Sequence, residues 1–228
     1  MSRNIILALA LPTALLSAAF MFAQEPAAKG TGKGKAPAGR RAPLFFKEEW
    51  KQIPGGGEHD ITPGHVSNPN LELTVYGDKV EATGAEGDDN NPVHAWTGLC
   101  EKPCGLTLKD KKNYVDLTGL SRIKWVTKMS GFHQIRPIVK LADGTWLVGD
   151  RADGSVTDWL ESDFSLADVK WMKMDGKRLV TMGSILPNPD LSKVDEVGFV
   201  DLMPASGHGP GGWADVGKIE VYGKPVAR

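Results

Sequence analysis

The chain has 228 residues, seven tryptophans, 41% hydrophobic residues and a formal net charge of −1. Its basic excess sits in the first 43 residues, which leaves the body from Pro43 onward at about −6; an acidic body repels phosphate and speaks against nucleic acid as the main partner. About 185 residues remain after the linker, enough for one domain with a sizeable core and too few for two.

Arg3 supplies a positive start, residues 5–22 are almost wholly apolar, and Ala23 is a small residue where cleavage would fall. That pattern predicts a secretory signal peptide over 1–23 and a secreted or periplasmic protein. The alternative is an uncleaved anchor, since about 18 apolar residues can just span a bilayer; a membrane is a partner only on that reading. Residues 24–43, QEPAAKGTGKGKAPAGRRAP, contain no large apolar side chain. They cannot bury enough surface to offset chain entropy and predict a flexible basic linker, with one domain over 44–228.

In the body, Phe46–Ile53 reads as a short helical turn. Strands follow at 71–76, 93–98, 105–108 and 113–117, separated by turn formers such as Gly77-Asp78 and Gly87-Asp88-Asp89-Asn90. RIKWVTKM (122–129) puts Ile123, Trp125, Thr127 and Met129 on one face and Arg122, Lys124 and Lys128 on the other. HQIRPIVKL (133–141) puts Ile135, Pro137, Val139 and Leu141 opposite Gln134, Arg136 and Lys140. SGF (130–132) reads as a hairpin turn between them, and Ala142-Asp143-Gly144 leads into a strand through Trp146 and Val148. These three strands predict an antiparallel meander. Further strands are expected at 157–164, 178–183, 194–202 and 215–222, with a short helix in SLADVKWM (165–172) capped by Ser165. Many short strands and one or two helical turns imply an all-β antiparallel sandwich. LTVYG (73–77) and IEVYG (219–223) share one pattern, which predicts adjacent strands closing one sheet.

DLSKVDEVGFVDLM (190–203), a glycine-rich loop, GKIEVYGKP (217–225) and the earlier VDLTGLSRIKWVTKMSG (115–131) resemble galactose-binding-domain-like jelly rolls. That superfamily includes many carbohydrate-binding modules. The resemblance covers roughly 113–225. The body also resembles a family of secreted bacterial proteins with this pattern. The resemblance implies a jelly-roll fold and a binding habit, and no reaction.

Cys100 and Cys104 in an oxidising compartment suggest a disulfide across a tight turn. A redox pair would need two intervening residues rather than three, and zinc would need two more ligands. The five histidines (59, 65, 94, 133 and 208) show no H-x-x-x-H or H-E-x-x-H spacing, and no G-x-S-x-G or P-loop occurs. No cofactor is expected, although Asp88-Asp89-Asn90-Asn91 could offer oxygens to calcium. Aromatic residues give the functional lead, because a sugar presents an apolar C–H face that stacks on indole while its hydroxyls need hydrogen-bonding partners. Trp96, Gln134, Arg136, Trp146, Asp150 and Trp159 are expected to line one concave face; Trp125 belongs to the core. The function expected is non-catalytic recognition of a glycan or cell-envelope polymer. One alternative is a sugar hydrolase using two of Asp150, Asp158, Glu161, Asp163, Asp195, Glu196 and Asp201. Another is a structural or assembly protein.

Overall fold

The computed structural model describes residues 41–55, 59–203 and 212–228. The leader, the linker up to residue 40 and His208 lie outside them. In chain order the strands are β1 (Leu44–Glu48), β2 (His59–Asp60), β3 (Leu71–Gly77), β4 (Glu81–Thr83), β5 (His94–Trp96), β6 (Cys104–Asp110), β7 (Asn113–Asp116), β8 (Arg122–Gly131) and β9 (Gln134–Leu141). They continue with β10 (Trp146–Gly149), β11 (Asp153–Gly154), β12 (Leu160–Ser165), β13 (Trp171–Asp175), β14 (Val180–Leu186), β15 (Val194–Asp201), β16 (Gly212–Tyr222) and β17 (Lys224–Ala227). One sheet runs β12-β8-β16-β5-β4-β2, with β1 also on β16. The other runs β14-β13-β10-β9-β15-β6-β3, with β11 on β9 and the pair β7–β17 joined to β15. All of these strand pairings are antiparallel, and the architecture is an all-β sandwich of jelly-roll type.

Alternation explains how the layers meet. Along β8, Ile123, Trp125 and Met129 are buried between the sheets, while Arg122, Lys124 and Lys128 stand on the outer face. Ile135 and Val139 of β9, Leu106 and Leu108 of β6 and Phe199 of β15 meet them from the second sheet in one cluster. Each such fully buried side chain contributes about 1.5–3 kcal/mol. Trp125, at the centre, donates its indole N–H to Asp153 Oδ2 at 2.6 Å, as a buried indole requires.

Four expectations about local structure are corrected. Segments 122–129 and 133–141 do not form a hairpin: β8 and β9 lie in different sheets, and SGF carries the chain from one layer to the other. Both apolar rows point at the same core, so they face each other across it rather than side by side. Only the β9–β10 pairing of the expected meander forms, closed by Gly144 N–H to Leu141 O at 2.9 Å. Strands 73–76 and 219–222 are not neighbours: β3 is an edge strand on β6, whereas β16 lies between β8 and β5 in the other sheet. Their shared pattern specifies a face, not a partner, and the two glycines serve different ends. Gly77 turns at φ 74°, while Gly223 lies where the chain leaves β16 for β17 in the opposite sheet. Phe46–Ile53 is no helix: its first half is β1, with Phe46 buried opposite Val221. Of 165–172, only Leu166–Asp168 makes a 3-10 turn, capped by the Ser165 side chain, and Trp171 already belongs to β13. A second 3-10 turn, Pro63–His65, is capped by Thr62.

Cys100 and Cys104 are joined and wholly buried. The bridge does not span a hairpin: β5 and β6 belong to different sheets, so it fixes a crossover between layers.

Candidate functional site

The outer face of the seven-stranded sheet carries a cleft of about 210 Å³ lined by Thr83, Asn91, His94, Trp96, Lys128, Trp213 and Asp215. Register builds it. Glu81 pairs with Trp96, Trp96 with Asp215 and Asp215 with Lys128, so these side chains stand in one transverse row across β4, β5, β16 and β8. Trp159 immediately precedes β12, the next strand along.

The tryptophans are fixed by glycines and by one loop. A Cβ at Gly98 would fall 1.9 Å from the Trp96 indole, so that ring lies flat on the backbone just after its own strand. Trp159 lies over Gly217, where a Cβ would come within 3.3 Å of it, and donates its indole N–H to Asn90 O at 3.1 Å. Its ring meets His94 edge-on, with centroids 5.2 Å apart, and Lys128 Nζ stands 5.8 Å from its centre. Trp96 in the cleft lining is buried and Trp213 half-buried, and Trp159, also half-buried, flanks the cleft through its contacts with His94 and Lys128.

Beneath them sit two buried titratable groups. His94 Nδ1 lies 2.7 Å from Pro92 O, and since a carbonyl only accepts, Nδ1 carries the hydrogen. The bare Nε2 of the neutral ring therefore faces Asp215 Oδ1 at 3.5 Å. Two acceptors facing each other need a proton between them. In accord with this, burial pushes the Asp215 carboxyl up to about 7, against the opposing pull of Lys128 and of a hydrogen bond from Trp213. Burial also pushes the His94 imidazole down to about 4, aided by Lys128 and opposed by the Pro92 carbonyl. Asp215 Oδ1 has no partner in hydrogen-bond geometry among the described residues. The cleft thus offers indole surfaces, a cation, an amide and a buried carboxyl: apolar faces and polar contacts for a hydroxylated ring.

The six residues expected to line one groove do not share one. Trp96 lines this cleft, and Trp159 stands beside it, against His94. Gln134 and Arg136 line a different depression, on the outer face of the ten-stranded sheet. Asp150 lies beside them; its backbone oxygen accepts from Arg136 Nη1 at 3.3 Å and its carboxylate accepts from Lys170 N–H. Trp146 sits farther along that sheet, edge-on to Tyr76 at 4.7 Å and packed with Ile138 and Val148. The separation follows from the misread hairpin, because β9 and β10 lie in the sheet opposite β5 and β12. His94, Asp215, Lys128 and Trp213 were not anticipated. Alternation along β8 and β16 marks 128, 213 and 215 as outward-facing, but their convergence depends on registers between strands about 30 to 120 residues apart.

Carboxylates elsewhere are committed. Glu161 and Asp163 pair with Lys124, Lys218 and Arg122. Glu196 is buried beneath Tyr76, Thr107 and Lys140, and Asp195 pairs with Arg228. Asp88, considered for calcium, accepts the N–H groups of Asn90 and Asn91 and so shapes the loop that holds Trp159. Among the described residues no group of three or more His, Cys, Asp or Glu is placed to hold a metal ion.

No protein-family model matches the sequence, and no curated protein matches it. Among solved structures, the chain is similar to a family 11 carbohydrate-binding module from Clostridium thermocellum in complex with a β-1,3-1,4-mixed-linked tetrasaccharide, at 15% identity and TM-score 0.45, covering 76% of this chain and 99% of that one. It is similar also to the family 11 module of the cellulosomal cellulase Lic26A-Cel5E of the same organism, at 16% identity and TM-score 0.44, covering 74% and 96%. A third likeness, to an exo-β-agarase, has 11% identity and TM-score 0.39, covering 71% of this chain and 24% of that chain. At such identities and scores these likenesses assign neither ligand nor site to this chain.

Proposed function

We propose that the protein is an exported, non-catalytic glycan-binding module, and that the cleft lined by Trp96 and Trp213, with Trp159 at its flank, holds a saccharide. The convergence of two indoles, Trp96 and Trp213, with Lys128, Asn91 and the buried Asp215 on one cleft carries this reading. A sugar ring matches the cleft: C–H faces for the indoles, and hydroxyls that hydrogen-bond to the Asp215 carboxyl. Lys128 and Asn91 add polar contacts at the rim. Glycoside cleavage would need a second carboxylate roughly 5–10 Å across the sugar. Among the described residues Asp215 is the one carboxylate lining this cleft, and Glu81, in the same row, is held by Lys79 at 3.0 Å, which favours binding over hydrolysis. The leader pattern and the buried disulfide support export, and hence an extracellular or envelope polymer as the ligand.

The test is a glycan-array screen of the full chain followed by titration of any hit through tryptophan fluorescence. Trp159→Ala and Asp215→Asn are expected to weaken binding at least tenfold. Silence across the array, or a Trp159→Ala variant that binds as tightly as the parent, overturns the reading.

A further inference from the structure

The outer face of the ten-stranded sheet carries a second cleft, of about 430 Å³, bordered by Phe132, Gln134, Arg136, Met172 and Met203. Phe132 stands at the crossing from β8 to β9 with 82% of its surface exposed. Neither core cluster includes it, and an aromatic ring left in water makes no contribution to folding. Arg136 is held from one side: Nη1 lies 3.3 Å from Asp150 O and 3.5 Å from Gly149 O. It forms no ion pair among the described residues, and no carboxylate borders the cleft. A guanidinium fixed in direction, with donors left over, is suited to two-pronged recognition of a carboxylate or a sulfate. The exposed ring beside it supplies a flat apolar face, and the Gln134 amide supplies neutral hydrogen bonds. Together they fit a ring with an apolar face, hydroxyls and one anionic substituent.

We propose that the cleft at Phe132, Gln134 and Arg136 is a second saccharide site, selective for sugars bearing a carboxylate or a sulfate. The protein is then bivalent, with one site on the outer face of each sheet. The second site goes beyond the cleft proposed above and does not depend on it; only the bivalency does.

The experiment is calorimetric titration of the full chain with trigalacturonate, with a sulfated galactan trisaccharide and with neutral cellotriose. One or both acidic probes are expected to bind at least tenfold more tightly than cellotriose, with affinity falling as salt is raised; the preferred probe distinguishes carboxylate from sulfate. Phe132→Ala and Arg136→Met are each expected to lower that affinity at least tenfold, while Trp159→Ala still binds the acidic probe. Because Arg136 also ties down two carbonyls, the Phe132 variant, altered at an exposed position, decides the matter if the arginine variant does not fold. Acidic probes that bind no better than cellotriose, or that do not bind, overturn the proposal, and so does a Phe132→Ala variant with parental affinity. A failure of the first cleft shows separately, as a glycan-array hit unaffected by Trp159→Ala.

Discussion

Asp215 and His94 show what burial does to a pair of acceptors. Near pH 5.5 an unfolded chain holds the aspartate ionised and the histidine charged, whereas the folded chain holds both neutral, so the pair binds one proton in either state. The signs follow from the two shifts. Asp215, raised from 3.8 to about 7, binds its proton more tightly when folded, so its contribution to stability falls as pH rises across that window. His94, lowered from 6.5 to about 4, binds its proton more tightly when unfolded, so its contribution rises with pH across its own window. Between about pH 4 and 6.5 the two nearly cancel. Asp215→Asn removes the falling arm alone. Relative to the parent, that variant is expected to gain on the order of 2 kcal/mol between pH 4 and 6.5. Urea denaturation of both proteins at those two pH values measures it, and parallel profiles would show that the pair does not share its proton in this way.

At the scale of the element, alternation made most strands legible, and nothing in a single strand named its partner. β8, β9, β15 and β16 lie within a few residues of the segments read from their patterns. The short β4 and the strand β13 were missed, because three residues such as Glu81–Thr83 are too few to show a period, and WMKMD carries the bulge between Met172 and Met174. Half of the Trp96–Trp213 cleft and its flank was legible, as Trp96 and Trp159 in polar surroundings; the other half lay in register. Two elements invite tests. The bridge Cys100–Cys104 closes a small loop, so replacing both cysteines by alanine is expected to cost about 2 kcal/mol in denaturant titration, and reductant should cost the parent the same. β14 is an edge strand whose seven residues, VTMGSIL, carry no charge, with Val180, Met182 and Ile185 at 50%, 61% and 49% exposure. Uncharged edges invite pairing between molecules. Met182→Lys should leave stability within about 0.5 kcal/mol and delay light scattering on heating; unchanged scattering would show that the edge is already protected.

Across the whole molecule, the two sheets are tied at one end by a buried polar knot. Asp201, at the end of β15, is wholly buried, and its Oδ2 lies 2.6 Å from His133 Nδ1 and accepts from Thr97 Oγ1 at 3.1 Å. Thr97 Oγ1 in turn accepts from Ala214 N–H in β16, and Asp201 Oδ1 accepts from Met203 N–H. The knot joins four segments from both layers, and its members adjoin both clefts: Thr97 follows Trp96, and His133 lies between Phe132 and Gln134. Removing the imidazole takes a hydrogen-bond partner from a buried carboxyl and leaves a cavity in its place, so His133→Ala is expected to lose about 3 kcal/mol in urea denaturation. In the surviving folded fraction both clefts should weaken together, since the strand ends that present Trp96 and Phe132 lose their common anchor. Trp159→Ala and Phe132→Ala should each weaken one cleft and spare the other. A His133→Ala variant with parental stability, or one that disturbs a single cleft, would show that the sheets are held in place at this end by the apolar core alone.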